Sequence, residues 1–468
     1  MTTSSSAAGA TSTAFSSLTL HPATLQNLQA LGYEQMTPIQ AASLPLTLAG
    51  RDLIAQASTG SGKTAAFGLP LLEHLNQRWF AIQGLVLCPT RELADQVATE
   101  IRRLARAQEN IKVVTVYGGV PSRNQIASLE NGAHIVVGTP GRVMDLINRG
   151  ALDISQLKTL VLDEADRMLD MGFYADIATV VEQCPEQRQT LLFSATYPEG
   201  IAELAQRFMR EPEMVKVAAQ HSAHKIEQRW YEVPAKQKLG VVVQMLAHFR
   251  PESTIVFCNT KQQCRDVVTE LQAQGISALA LFGELEQRER DEVLVQFANK
   301  SCSVLVATDV AARGLDIANL SCVINVDVTP DSEVHIHRIG RTGRGDAEGL
   351  ALNLVAMDEM GYVGKIEQLQ GRASQWFALS DLTPAEGGPL LPPMMTIQII
   401  GGRKEKIRAG DVMGAMCADF GYQRDLVGKI SVNDFSTYVA VDRSIALAAC
   451  DKLNNGRVKG KSVRARVL

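Results

Sequence analysis

The run Ala57-Ser58-Thr59-Gly60-Ser61-Gly62-Lys63-Thr64 follows an apolar stretch, DLIAQ, and precedes another with helical spacing. That pattern is built for phosphate. Glycines let successive backbone amides turn inward, the start of a helix adds positive potential, Lys63 reaches the outer phosphates, and the Thr64 hydroxyl is placed to hold Mg2+. Alanine stands where such a loop usually has its first glycine, but the contact-making end, GSGKT, is intact. Further on, Val161-Leu162-Asp163-Glu164-Ala165-Asp166 sets carboxylates at the end of an apolar run, where open α/β sheets bind ligands. Asp163 is placed to hold Mg2+ through its water shell, and Glu164 to orient and deprotonate an attacking water. Loop and carboxylates together predict a nucleoside triphosphatase.

The elements that must position these residues follow from the hydrophobic rhythm. From about Asp52 to Thr196, short β-rich runs (DLIAQA, GLVLCPT, KVVTVYGG, HIVVGTP, TLVLDEAD, TLLFSAT) alternate with helical stretches, and the rhythm returns from about Glu227 to Val355 (TIVFCNT, SVLVATD, CVINVDV, GLALNLV). Such alternation predicts two α/β domains in series, each with a parallel sheet covered on both faces. EPEMVKVAAQHSAHK between them, and LTPAEGGPLLPP after the second, read as linkers. From Met394 the order of strands and helices is βαββαβ, with helices over residues 409–418 and 444–453, a small split-βαβ sandwich.

With 46 basic and 50 acidic side chains, the 468 residues carry a net charge of −4. The last 75 residues hold 13 Lys/Arg against 7 Asp/Glu, so the terminal domain is a basic unit on an acidic remainder, as a nucleic-acid-binding appendage would be. The eight cysteines lack any Cys-x-x-Cys pair and read as reduced core thiols. His221 and His224 have no partner at metal-ligand spacing. No apolar run is long enough for a membrane span. The Ser/Thr/Ala/Gly-rich start lacks a signal core and is expected to be a disordered leader over residues 1–14, so a cytoplasmic location is expected.

Asp163-Glu164-Ala165-Asp166 behind such a loop resembles the signature of the DEAD-box RNA helicases. The other family motifs occur in order: Gly32 to Gln40 with upstream Phe15, Pro89-Thr90-Arg91-Glu92-Leu93, Gly118-Gly119, Thr139-Pro140-Gly141-Arg142, Ser194-Ala195-Thr196, Val256 to Thr260, Gln287-Arg288-Glu289-Arg290, Ala307 to Asp316, and His337 to Arg344. The resemblance implies two tandem RecA-like domains, residues 15–218 and 219–372, then a linker (373–393) and an RNA-binding domain (394–468) of RNA-recognition-motif type. It implies an ATP site of Phe15, Tyr33, Gln40, Ser58, Thr59, Gly60, Ser61, Gly62, Lys63, Thr64, Gly314 and Asp316. The Gln40 amide offers donor and acceptor together, which matches adenine and selects ATP. Catalysis would involve Lys63, Asp163 and Glu164, with Arg341 and Arg344 as arginine fingers against the γ-phosphate. Ser194 and Thr196, with Asp166, would couple hydrolysis to strand separation. RNA would meet Arg91, Gly118, Gly119, Thr139, Gly141 and Arg142 on the first domain and Thr260, Gln287, Arg290 and Thr308 on the second. Amides, hydroxyls and arginines suit phosphate and 2′-hydroxyl contacts rather than base reading.

The terminal domain departs from a standard RNA recognition motif. Its first strand, TIQII, has no aromatic, and SVNDFSTYVAV lacks the Lys/Arg-Gly-aromatic start, although Tyr438 lies on the third strand. Binding is therefore expected at loops and basic edges: Arg403, Lys404, Lys406, Arg408, Lys459, Lys461 and Arg464. GGRKEKIRAGDVMGAM, VGKI and the terminal VKGKSVRARVL resemble a bacterial branch of the family whose tail grips a 23S ribosomal RNA hairpin near the peptidyl-transferase centre. The expectation is an RNA-stimulated, Mg2+-dependent ATPase that locally unwinds short RNA duplexes during large-subunit (50S) assembly, acting as a monomer. A general cold-shock or RNA-decay helicase, and a nucleotide-gated RNA clamp with little unwinding, are the alternatives.

Overall fold

The computed structural model describes residues 13–57, 60–217, 226–312, 320–343, 348–387 and 390–468. The described chain falls into two units, the first running to about residue 220 and the second containing nearly all of the rest. Among the described residues no helix is long and apolar enough to cross a membrane.

In the first unit, seven strands form a parallel sheet: β1 (Leu53–Gln56), β2 (Gly84–Leu87), β3 (Val113–Val116), β4 (Ile135–Gly138), β5 (Thr159–Asp163), β6 (Gln189–Ser194) and β7 (Glu213–Lys216). Their spatial order is β3-β4-β2-β5-β6-β1-β7. Leu53 and Ala55 pack into one apolar core while Ile54 packs into another, so both faces are covered, as a sheet built by helical crossovers requires. β7 corrects the sequence reading, which took EPEMVKVAAQHSAHK for linker. Its first part pairs with β1 as an edge strand, and alternating partial exposure of a four-residue run leaves little hydrophobic signal. His221 and His224 lie outside the described residues, as does most of the expected leader.

The second unit begins with a six-stranded parallel sheet of β8 (Ile226–Glu232), β9 (Thr254–Cys258), β10 (Ala278–Leu281), β11 (Val304–Thr308), β12 (Cys322–Asn325) and β13 (Gly349–Val355). The order is β10-β11-β9-β12-β13-β8. β8 and β10 lie at the two sheet edges, and their broken apolar patterns did not announce them. The expected linker 373–393 is only partly one. Gln375 O accepts from Trp230 N, Phe377 N donates to Trp230 O, and Ala385 N donates to Ala247 O, so this stretch is strapped to the edge beside β8. Arg229 lies over the rings of Phe249 and Phe377, holding the strap's aromatic in place.

β14 (Met394–Ile400), β15 (Val427–Val432), β16 (Ser436–Asp442) and β17 (Arg464–Val467) form a separate antiparallel sheet, ordered β15-β16-β14-β17. Two helical stretches complete the expected βαββαβ order. The first is α-helical over Ala409–Gly414 and widens to a π turn over Ala415–Asp419, and the second spans Ala446–Asn455. Ile397, Ile399, Val439 and Val441 point into the domain's core, which the strand period of two demands. Thr396, Gln398 and Tyr438 therefore face the opposite side. The eight cysteines form no disulfide, and burial pushes the Cys302 thiol up, to about 11.

Candidate nucleotide site and RNA-facing surfaces

The first sheet divides its carboxyl edge between two tasks. At the β5-β6-β1 side, the phosphate loop leaves β1, Asp163 ends β5 and Ser194 ends β6. At the β3-β4-β2 side, Gly118 and Gly119 follow β3, Thr139, Gly141 and Arg142 follow β4, and Arg91 follows β2. Residues scattered in sequence thus become two neighbouring clusters because parallel strands all end on one edge.

Gly60 and Gly62 adopt φ of +80° and +92°, the left-handed geometry that lets the loop curl before the helix Lys63–Glu73 begins. A Cβ on Gly62 would lie 2.5 Å from Gln40 Nε2. Lys63 is buried, and its Nζ has no hydrogen-bond partner among the described residues. A buried ammonium whose hydrogens meet no protein acceptor is open to an anion's oxygens, so the loop is shaped for phosphate. Ser58 and Thr59 lie outside the described residues.

Gln40 caps its own helix, with Oε1 accepting from Thr37 N at 2.9 Å, and its Nε2 donates to Gly62 O at 3.0 Å. Each end of the amide keeps a second hydrogen-bonding position, as the expected adenine contact requires. The Phe15 ring is buried, edge-on to Tyr33 with centroids 6.0 Å apart. Tyr33 in turn donates its hydroxyl to Glu100 Oε1. In this state the aromatic pair braces the glutamine segment.

Asp163, Glu164 and Asp166 are all buried. Burial pushes Asp163 up to about 6 against the pull of the Lys63 charge. Glu164 N donates to Asp163 Oδ1 at 3.0 Å, and Glu164 itself takes the left-handed conformation, φ +52°. Such strain in a non-glycine residue at a ligand-facing strand end persists only where surroundings impose it. Arg167 supplies part of that constraint, its Nη1 donating to Glu164 Oε2 at 2.7 Å. Asp166 behaves differently from Asp163. Burial alone would raise it, yet the Lys63 charge and hydrogen bonds from Thr196 and Ser194 hold it below the usual carboxylate range. Its Oδ2 accepts from Thr196 Oγ1, Thr196 N and Ala195 N.

At the β3-β4-β2 side, where RNA contacts are expected, the Arg91 guanidinium lies over the Tyr117 ring, 5.0 Å from its centroid, and a Cβ on Gly119 (φ +75°) would be 2.6 Å from Arg91 Nη1. Arg142, another of the residues expected to meet RNA, is held by acceptors of the protein itself. It donates to Gln125 Oε1 and Val120 O, which ties the Gly118–Gly119 turn to the helix Pro140–Asn148. In the second unit, Thr260 follows β9, Thr308 ends β11, and Gln287 and Arg290 lie on the helix Gln287–Ala298 after β10. These three strands are adjacent, repeating the first sheet's arrangement. Thr260 Oγ1 caps the helix Lys261–Ala273, and Arg290 Nη2 donates to Ala311 O.

Arg341 is buried, while Arg344, Gly314 and Asp316 lie outside the described residues. The sequence reading gave Arg338, inside the His337 to Arg344 run, no role of its own. This buried arginine forks onto both oxygens of Asp309 at 2.7 Å and reaches Asn259 Oδ1 and Asp327 O, tying four segments into one frame. Arg167 and Arg338 both sit beside singled-out residues, but their partners are chosen by folding, and only the fork geometry shows what they do.

In the terminal domain, folding merges two basic runs. Lys459 Nζ donates to Lys406 O and Lys461 Nζ to Glu405 O, so the turn 403–408 and the turn 459–461 form one surface. Arg403, Lys404, Lys406, Arg408, Lys459, Lys461 and Arg464 are exposed. Ile400 and Phe435, 60% and 62% exposed, add apolar area at the same end: Gly401 N donates to Phe435 O, and Arg403 N to Asn433 O. Tyr438 is buried and its hydroxyl accepts from Gln398 Nε2, so it offers no base platform in this state.

Two parallel-sheet units carrying a phosphate loop, an Asp-Glu-Ala-Asp strand end and an arginine frame define a nucleotide-driven helicase core. Family models agree: "DEAD/DEAH box helicase" matches residues 37–204, "Helicase conserved C-terminal domain" 237–346, and "DbpA RNA binding domain" 396–467. The chain belongs to the DEAD-box ATP-dependent RNA helicases. It is 49% identical over 459 residues to the ATP-dependent RNA helicase DbpA of Escherichia coli (strain K12), covering 97% of this chain and 100% of that protein. The DEAD-box ATP-dependent RNA helicase CshA of Geobacillus kaustophilus is 44% identical over 77% of each chain. Among solved structures, Saccharomyces cerevisiae Dbp5 bound to RNA and ADP BeF3 matches with a TM-score of 0.72 at 29% identity, over 79% of this chain and 96% of that one.

Proposed function

We propose that this helicase is an RNA-stimulated ATPase that locally unwinds short duplexes in 23S ribosomal RNA during large-subunit assembly, steered there by its terminal domain. The observation that carries the reading is the merged, exposed basic surface of residues 403–408 and 459–461 on a domain of the DbpA type.

The chemistry follows from the site. Lys63, buried and with no hydrogen-bond partner for its Nζ among the described residues, draws the outer phosphates into the loop. Mg2+, held by Thr64 and through water by Asp163, would neutralise charge on the β- and γ-phosphates. Glu164 positions the attacking water and takes its proton, with Arg167 holding the carboxylate by one oxygen so that the other faces the water. Arg341 and Arg344 stabilise the γ-phosphate's transition-state charge when the two helicase domains close on ATP. RNA on the strand-end clusters of both domains favours the same closed state, so RNA and ATP raise each other's affinity. Closure bends one strand away from A-form geometry, and hydrolysis followed by phosphate release resets the core.

The test is ATPase rate against 23S ribosomal RNA, a fragment holding the peptidyl-transferase hairpin, and unrelated RNA. The comparison protein is full-length and carries Arg403→Glu, Lys404→Glu and Lys461→Glu together. Activation by 23S RNA and the fragment that the triple variant loses supports the ribosomal role. Equal activation of both proteins by every RNA moves the assignment to a general remodelling helicase, and activation without unwinding moves it to an RNA clamp.

A further inference from the structure

The terminal sheet turns its outward side onto the second helicase domain. Met394 N donates to Lys300 O, and Thr396 Oγ1 meets both Asn299 Nδ2 at 3.1 Å and Ser301 Oγ at 2.8 Å. One row further along the same face, Glu292 Oε1 accepts from Gln398 Nε2 at 3.3 Å and Arg466 Nη2 at 3.1 Å. Arg466 Nε also donates to Gln398 Oε1 at 2.6 Å, and Gln398 Nε2 to the Tyr438 hydroxyl, so Glu292 holds a small network rather than a single charge. Thr396, Gln398, Tyr438 and Asn299 are all buried. Ile400 and Arg464, the next row on β14 and β17, remain exposed.

These contacts are directional and polar. They fix how the terminal domain sits, not merely that it is near, because each buried donor left without its acceptor carries a desolvation penalty. They also fall on a particular helix. Glu292 belongs to Gln287–Ala298, the helix that carries Gln287 and Arg290, the residues expected to meet RNA on the second domain. The strap described above holds the connecting chain to the second domain through residues 375–385, and Leu390 packs against that domain's core as well.

We propose that Glu292, with Gln398 and Arg466, is a latch that sets the terminal domain in fixed register on the RNA-contacting helix of the second helicase domain. RNA gripped at the basic surface then enters the core at one defined distance. This rests on reading that surface as an RNA grip. A slack tether would instead give a broad local concentration, about millimolar, with little preference for distance. Arg466 is half exposed, so its ion pair with Glu292 contributes modestly and the buried Gln398 contact carries more of the register.

The discriminating measurement is unwinding of a short duplex joined to the peptidyl-transferase hairpin of 23S RNA by single-stranded spacers of increasing length. The full-length protein, Glu292→Arg, and Glu292→Arg with Arg466→Glu are compared. The wild type is expected to show a sharp optimum in spacer length. Glu292→Arg should flatten it, lowering the rate at the optimum by roughly tenfold as orientation is lost, while hairpin affinity and ATPase on unstructured RNA are unchanged. The double variant should restore the optimum by exchanging the charges. An optimum that Glu292→Arg leaves intact overturns the latch, as does a broad wild-type profile identical in all three proteins. If the hairpin gives the wild type no advantage at any spacing, the RNA-grip reading fails first, and the latch with it. Loss of hairpin affinity in Glu292→Arg would also overturn the proposal, because it would place Glu292 in the grip.

Discussion

Asp166 and Thr196 are joined twice, by the threonine's hydroxyl at 2.9 Å and its backbone N–H at 3.0 Å, both donating to the same carboxylate oxygen. The end of β6 is thereby fastened to the helix that begins beside the catalytic strand end. A shift of one would be felt by the other, the property that the coupling role expected of this pair requires.

Thr196→Val removes the hydroxyl but keeps the shape and the backbone bond. A hydrogen bond to a charged acceptor contributes about 1.5–3 kcal/mol, so duplex unwinding should fall by about tenfold or more. RNA-stimulated ATP turnover should change far less. Parallel unwinding and phosphate-release assays on the same preparation check this, and equal losses in both would remove Thr196 from the coupling role.

Glu164→Gln keeps the side chain's size and its contact with Arg167 but cannot take a proton. ATP binding should persist while kcat falls by about 10²–10⁴-fold, the span general-base catalysis contributes. Single-turnover hydrolysis with saturating RNA is the measurement. Wild-type rates there would mean another group activates the water.

Gly62→Ala places a methyl 2.5 Å from Gln40 Nε2 at a φ of +92°. Both the phosphate loop and the glutamine segment should be displaced, with nucleotide affinity lost by tenfold or more and a strain of about 1–3 kcal/mol. Nucleotide titration alongside a thermal melt separates loss of the site from loss of the fold.

His335 gives the second unit an acid limit. Burial, reinforced by the charges of Arg338 and Arg372, lowers its pKa to about 3, and the ring stacks on Trp230 while Nε2 meets Gln228 Oε1. The unfolded state takes a proton near pH 6.5 that the folded state refuses until about 3, so stability is complete above that range and falls as the pH drops through it. Roughly 2 kcal/mol is lost by pH 5 from this residue. His335→Gln should flatten that slope in denaturant melts followed by tryptophan fluorescence, and an unchanged slope would assign the acid sensitivity elsewhere.

The chemistry of this protein was legible in its sequence because phosphate loops and strand-end carboxylates depend on local spacing. GSGKT needs only a strand before it and a helix after it, and Asp163 needs only to end an apolar run. The same holds for the two α/β repeats and the terminal βαββαβ order, whose periods are local properties of the chain. Three edge strands escaped, β7, β8 and β10, whose partly exposed residues break the apolar run that announces a buried strand.

What only the tertiary structure decided is which partner each long side chain takes. Arg142 turns to Gln125 and Val120, Arg338 to Asp309, and Arg466 to Glu292, across separations of 17, 29 and 174 residues. Charge and residue type in the sequence were compatible with RNA at the first of these. A guanidinium binds whichever carboxylate or carbonyl the fold brings within reach, and that choice is set by packing of distant elements rather than by neighbours in the chain.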